Sequence, residues 1–128
     1  SGEVTEHPRF GPAFSGEKAV YETGDGEYDV YVVALQFIYR PGEIEVPANS
    51  EITFHVTSAD VIHSFSVVGT NANTMVIPGE IATLTVETED PGEYGILCSE
   101  YCGASGHHDM EGLLVVVPQD EFQLEGEQ

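Results

Sequence analysis

Glu51-Ile52-Thr53-Phe54-His55-Val56-Thr57 alternates without a break, with Ile52, Phe54 and Val56 on one face and His55 on the other. A period of two over seven residues is the pattern of a strand with one buried side. The same reading extends outward in both directions. Tyr28-Asp29-Val30-Tyr31-Val32-Val33-Ala34-Leu35-Gln36-Phe37 is rich in β-branched and aromatic residues, and Tyr39-Arg40-Pro41-Gly42 breaks it. Ile44, Val46 and Pro47 open another extended piece, and further strands are predicted at 64–68, 81–88, 93–98 and 112–117. Pro78-Gly79 and Pro91-Gly92 supply turns between them. No window shows helical periodicity. Short strands with frequent turn signals predict one all-β domain, an antiparallel sandwich or small barrel.

The composition narrows what such a domain does. At 128 residues and 41% hydrophobic, the chain builds one core of ordinary size. Three basic residues (Arg9, Lys18 and Arg40) stand against 23 acidic ones, a formal charge of −20. That excludes nucleic-acid binding, which needs a basic face, and docking on anionic lipid through Lys and Arg. No apolar run approaches the roughly 20 residues needed to cross a bilayer. The acid is spread over nearly every stretch and Lys has almost vanished, a pattern that reads as whole-surface adaptation to high salt. A patch for a basic partner is the alternative. Residues 1–18, with His7-Pro8, Gly11-Pro12 and Ser15-Gly16, read as a loose lead-in, residues 19–118 as the domain, and 119–128 as an acidic tail.

Both cysteines lie in Cys98-Ser99-Glu100-Tyr101-Cys102-Gly103-Ala104-Ser105-Gly106-His107-His108-Asp109-Met110, between two predicted strands. A disulfide is one reading, although a loop this small contributes modest entropy. Two buried structural thiols are a second, against which the Gly, Ser and His neighbours argue. A metal site accounts for more of the residues, since thiolate, imidazole and thioether are the soft set that favours copper over magnesium, calcium or manganese.

Cys-x-Glu-x-Cys-Gly, then His-x-x-Met, with Asp60-Val61-Ile62-His63-Ser64-Phe65 upstream, resembles the copper A (CuA) domain of cytochrome c oxidase subunit II. The resemblance runs from about Tyr31 through Val117 and includes Ile44-Glu45-Val46-Pro47, Val68-Gly69-Thr70-Asn71 and Pro91-Gly92-Glu93-Tyr94. It implies a cupredoxin-like Greek-key β-sandwich carrying two mixed-valent copper ions. Cys98 and Cys102 would bridge both, with His63 on one copper and His107 on the other. Met110 and the backbone carbonyl of Glu100 would be weak axial ligands. The Glu100 side chain would bind magnesium where the catalytic subunit meets this one. The loop departs from the family in one respect: Gly103-Ala104-Ser105-Gly106 puts four residues, where the family has three, between the second cysteine and the histidine. His107 keeps the family's spacing to Met110; His108 is the alternative ligand.

The resemblance also implies partners: the oxidase catalytic subunit I, and a soluble donor, either a cytochrome c or a blue-copper protein. It implies a membrane anchor N-terminal to Ser1 and a domain on the outer face of the membrane. Trp is absent, so Phe37, Tyr39 or Phe65 would serve as the electron entry that tryptophans provide in many relatives. Asp60 either orients the His63 ring or is an ordinary turn residue. His55 projects from the outer strand face, His7 is solvated, and Met75 fills a gap in the core or a lid. Competing readings are the CuA domain of nitrous oxide reductase, whose propeller has no trace here, a mononuclear blue-copper carrier, and a copper chaperone. The second cysteine argues against the blue-copper carrier, and the lack of Met or Cys clusters against the chaperone. No constellation for bond chemistry by the domain alone stands out.

Overall fold

The computed structural model describes residues 19–35, 38–98 and 111–123. Among the described residues, ten strands form two five-stranded sheets packed face to face. The first sheet holds β1 (Val20–Gly24), β2 (Glu27–Leu35), β3 (Ile38–Arg40), β5 (Glu51–Ser58) and β8 (Ile81–Glu87). The second runs in the order β4 (Glu43–Pro47), β10 (Glu111–Val117), β9 (Gly92–Leu97), β6 (His63–Val67) and β7 (Asn73–Val76). Among the described residues the only helical element is a 3-10 turn at Gln119–Glu121.

Alternation decides which side chains go inside. Val30, Val32 and Ala34 from β2 and Ile52, Phe54 and Val56 from β5 are fully buried. They meet Ile44, Val46, Phe65, Val67, Ile96, Leu114 and Val116 from the opposite sheet. Each such aliphatic or aromatic side chain contributes about 1.5–3 kcal/mol by leaving water. Tyr31 and His55 face outward from the same strands and stack on each other at 4.6 Å, as the alternation around His55 requires.

Pairing departs from the all-antiparallel expectation. β2 runs parallel to β5, Glu27 opposite Glu51 through Ala34 opposite Ser58, and β4 runs parallel to β10. The physical reason is that the chain crosses between sheets rather than folding back through hairpins. It leaves the first sheet at Pro41-Gly42, returns through Ala48–Ser50, and leaves again through Ala59–Ile62. A strand that arrives by crossing is free to run parallel to its neighbour.

Three strands lie outside the sequence expectation: β1, β3 and β7. β1 and β2 form a hairpin through Asp25-Gly26, where Gly26 has φ +75°, a conformation that costs glycine nothing. β3 and β7 are short edge pieces of three and four residues whose pairing, rather than their pattern, defines them.

The return at Ala48–Ser50 is tied to the far end of β8. The Thr88 hydroxyl donates to the Pro47 carbonyl at 2.8 Å and accepts from the Ser50 N–H at 3.0 Å. Beyond β10, Gln119 Nε2 donates to the Ala48 carbonyl at 2.9 Å, and Phe122 packs edge-on against Tyr28 at 5.5 Å. The start of the acidic tail is thereby part of the packed domain. The lead-in at 1–18 lies outside the described residues.

Candidate metal centre

His63 is the first residue of β6, delivered to the sandwich by the crossing from β5. Its ring is fully buried. Nε2 lies 2.7 Å from Asp60 Oδ1, and the same oxygen accepts the Val61 N–H at 2.6 Å. Ser58 braces the turn from below: its hydroxyl donates to the Val61 carbonyl and accepts the Asp60 N–H. Because a carboxylate only accepts, the contact assigns the proton of the neutral imidazole to Nε2. Nδ1 is then a lone pair, and it is buried with no hydrogen-bond partner. A buried, unsatisfied ring nitrogen is costly unless something binds it. The carboxylate–histidine arrangement is the one that orients an imidazole toward a metal. Of the two readings of Asp60 that the sequence leaves open, the ring contact is the one observed.

Cys98 directly follows β9 and is 6% exposed. β6 and β9 are paired, Ser66 opposite Leu97 and Val67 opposite Ile96. The strand that begins with His63 and the strand that runs into Cys98 are therefore neighbours. Cys98 is disulfide-bonded in the structure. Its sulfur becomes a metal-binding thiolate only after reduction.

Glu100, Cys102, His107, His108 and Met110 lie outside the described residues. Among the described residues, no group of three His, Cys, Asp or Glu side chains is close enough to hold a metal. The residues that are described fit a copper centre in chemistry: one oriented imidazole with a free Nδ1, and one nearly buried sulfur on the adjoining strand.

The framework beneath these residues is rigid. The Tyr39 hydroxyl donates to the Ser64 carbonyl at 2.6 Å, tying β3 across the sandwich to the residue after His63. Burial pushes the Tyr39 phenol well above the ordinary tyrosine range. Its ring meets Phe65 edge-on at 5.8 Å, and Phe65 meets Phe54 at 5.1 Å. Near the start of β10, a Cβ on Gly112 would come within 3.2 Å of the Gly42 carbonyl oxygen and 3.4 Å of Tyr39 Cδ2. A side chain there would push on the tyrosine that supports β6.

Two expectations require correction. Tyr39 and Phe65 are almost wholly buried and take part in core packing, so neither offers a surface entry for electrons; Phe37 lies outside the described residues. Met75 is 45% exposed on the edge strand β7 and does not fill the core. Its place in the alternation of β7 turns it outward, while Val76 points in. His55 belongs to an outer-face group, with Nε2 3.3 Å from Asp29 Oδ1. His7 lies outside the described residues. The support given by Tyr39 was missed in the sequence, where Tyr39-Arg40-Pro41-Gly42 reads as a break after the preceding strand.

Two mixed sheets with a buried histidine and cysteine on adjoining strands define a cupredoxin-like domain. The fold of auracyanin B is of the same kind, with a TM-score of 0.59 at 19% identity over 78% of this chain and 95% of that one. The chain belongs to the cytochrome c oxidase subunit II family: the family model for the periplasmic domain matches residues 25–117. Two Thermus thermophilus proteins named cytochrome c oxidase subunit 2 are each 50% identical over 106 residues, 83% of this chain. The match spans 78% of one and 62% of the other. A chain of a heme-copper terminal oxidase dimer superposes with a TM-score of 0.68 at 34% identity, covering 76% of this chain and 71% of that one. The domain thus falls within an oxidoreductase complex of the heme-copper oxidase kind. Among the described residues, no helix is long and apolar enough to cross a membrane.

Proposed function

We propose that this domain holds two copper ions and relays single electrons from a soluble redox protein to haem in the catalytic subunit of a terminal oxidase. The observation that carries the proposal is the His63 ring, fully buried, with Nε2 held by Asp60 and Nδ1 unpaired. His63, Cys98, Cys102, His107, Met110 and the Glu100 carbonyl would hold the two ions. Bound there, the metal pair supplies one-electron redox chemistry with the charge shared over two ions. The chain's own part is to keep the ligands still. Asp60 holds the imidazole, Tyr39 braces β6 through the Ser64 carbonyl, and the sandwich leaves the Cys98 sulfur, just past β9, nearly buried. The Glu100 carboxylate is proposed to bind magnesium against the catalytic subunit, and the domain to stand on the outer face of the membrane.

The test is electron paramagnetic resonance of the chain after thiol reduction and copper loading, with metal content measured on the same sample. Two coppers per chain and a hyperfine pattern shared over both are expected. One copper with a single-ion pattern would replace this reading with a mononuclear carrier. In the same assay His107→Ala should abolish the shared pattern and His108→Ala should leave it; the reverse would reassign the ligand.

A further inference from the structure

β8 stands at the edge of the first sheet, and among the described residues no strand lies beyond it. On the β5 side, the Thr88 N–H donates to the Ser50 carbonyl at 2.9 Å. By the alternation of an antiparallel ladder, Val86 and Leu84 also turn their backbone groups toward β5. Those of Thr83, Thr85 and Glu87 therefore face the open edge. Sheet edges are commonly guarded by Lys, Pro or a bulge. Here Ile81–Glu87 contains neither Lys nor Pro, and its register with β5 runs without a break. Beside this edge a cavity of about 620 Å³ reaches between the sheets, lined in part by Leu84, Val86, Tyr94, Leu114 and Val116. Ligand sites span roughly 300–1,000 Å³. Glu87, Glu89 and Asp90 also line the cavity, and none of its lining residues is Lys or Arg. The turn that carries the acids is held in place: the Tyr94 hydroxyl donates to the Asp90 carbonyl at 2.9 Å, and Thr88 bonds the Pro47 carbonyl at 2.8 Å.

We propose that β8 and this cavity bind an extended segment of a partner protein in which apolar residues alternate with Lys or Arg. A strand added to a sheet edge gains main-chain hydrogen bonds, and the places for its alternate side chains select its sequence. Alongside β8, every second side chain of the segment points between the sheets, toward Leu84 and Val86. The others fall on the outer face, the side from which Glu87 projects, with Glu89 and Asp90 just beyond the strand. Basic side chains there meet opposite charge, and acidic ones are repelled. The site lies at the end of the sandwich away from His63 and Cys98. β9 runs from Gly92, beside the acidic turn, to Leu97, next to Cys98, a rise of about 17 Å. A partner held at β8 leaves the metal end free, so the site tethers and does not exchange electrons. The proposal does not depend on the electron-relay function.

A surface at −20 attracts any cation, so the test isolates the alternation and the edge from charge alone. The full chain, labelled with nitrogen-15, is titrated with the capped hexapeptide Lys-Val-Lys-Val-Lys-Val, and amide shifts and hydrogen exchange are followed. Saturable binding is expected, with shifts confined to residues 69–73 and 83–90. At about 90% occupancy the amides of Thr83, Thr85 and Glu87 should exchange about tenfold more slowly, because only the free tenth is open. Lys-Lys-Lys-Val-Val-Val carries the same charge without alternation and should bind about tenfold more weakly. Thr85→Pro removes the central outward N–H without touching the ladder to β5, and should weaken binding about tenfold. Glu87→Lys with Glu89→Lys leaves the backbone alone and should also weaken it about tenfold. Glu43→Lys with Glu45→Lys makes the same change in net charge on β4, the edge of the other sheet, and should weaken it less than about threefold. The proposal is overturned if the alternating peptide does not bind, if the unpatterned peptide binds as tightly, or if the two pairs of reversals act alike. Protection of the same amides that rises with protein concentration in the absence of peptide overturns it as well, and assigns the edge to a second copy of this chain.

Discussion

Replacing Asp60 with alanine removes one oxygen that accepts two hydrogen bonds, from His63 Nε2 at 2.7 Å and from the Val61 N–H at 2.6 Å. Hydrogen bonds to a charged group contribute about 1.5–3 kcal/mol, and a buried donor left unpaired carries a desolvation cost of similar size. Asp60 is 32% exposed, so water reaches the vacated position and the lower part of that range applies. Without metal, the variant should lose about 1–2 kcal/mol of folding stability. The larger effect falls on metal binding. With Oδ1 gone, nothing selects the tautomer or holds the ring, and Nδ1 is no longer presented as a lone pair. Loss of such a supporting partner typically weakens metal affinity by about 10–100-fold. Competition against a copper chelator measures that change, and thermal melting of the metal-free protein measures the stability. Asp60→Asn keeps an acceptor oxygen for both donors and should recover most of the affinity. Equal affinity in Asp60→Ala and the parent, or Asn no better than Ala, would refute the orienting role of this residue.

Other expectations follow from the same geometry. Tyr39→Phe removes the buried hydrogen bond to the Ser64 carbonyl and should cost about 1–2 kcal/mol in a denaturant melt. Tyr39 and Tyr31 both ionise above the ordinary value of 10.0, Tyr39 because it is buried and Tyr31 because of burial, then Asp29, then Tyr21. An ultraviolet titration should therefore show Tyr39 and Tyr31 ionising late. The sign for stability follows: the neutral phenols contribute fully below about pH 10, where the unfolded chain is also neutral, and that contribution is lost as the pH rises toward the folded pKa values. Gly112→Ala forces a methyl group to within 3.2 Å of the Gly42 carbonyl oxygen and should lower the melting temperature, by an overpacking cost of about 1–3 kcal/mol. Finally, a surface at −20 should melt at markedly lower temperature when salt is removed; a salt-independent melt would remove the case for adaptation to high salt.

The strands that make the site were legible because their alternation is local. β2, β4, β5, β6, β8, β9 and β10 lie within a residue or two of where the pattern puts them. β1 was legible in principle, since Asp25-Gly26 between Tyr21 and Tyr28 is a strong hairpin signal, but Gly24 and the bulge beside it interrupt the pattern. β3 and β7 carry too few residues to show a period. Of the two places the sequence allows Met75, the core is excluded; both stay open in the sequence because a methionine among apolar neighbours looks the same there whether it faces in or out. Only the packed structure, with Val76 buried and Met75 exposed beside it, settles the facing.

By itself, the sequence determines the period-two strands, the acidic composition and the Cys, His and Met pattern, because each depends on residue type and short spacing alone. Tertiary structure decides which strands are neighbours, since parallel pairing of β2 with β5 joins residues 24 positions apart with no local signal. It also decides that β6 and β9 lie side by side, bringing His63 and Cys98 onto adjoining strands although 35 residues separate them. And it decides which nitrogen of His63 is free. The two ring nitrogens are identical in the sequence, and only the turn that sets Asp60 Oδ1 against Nε2 leaves Nδ1 to bind.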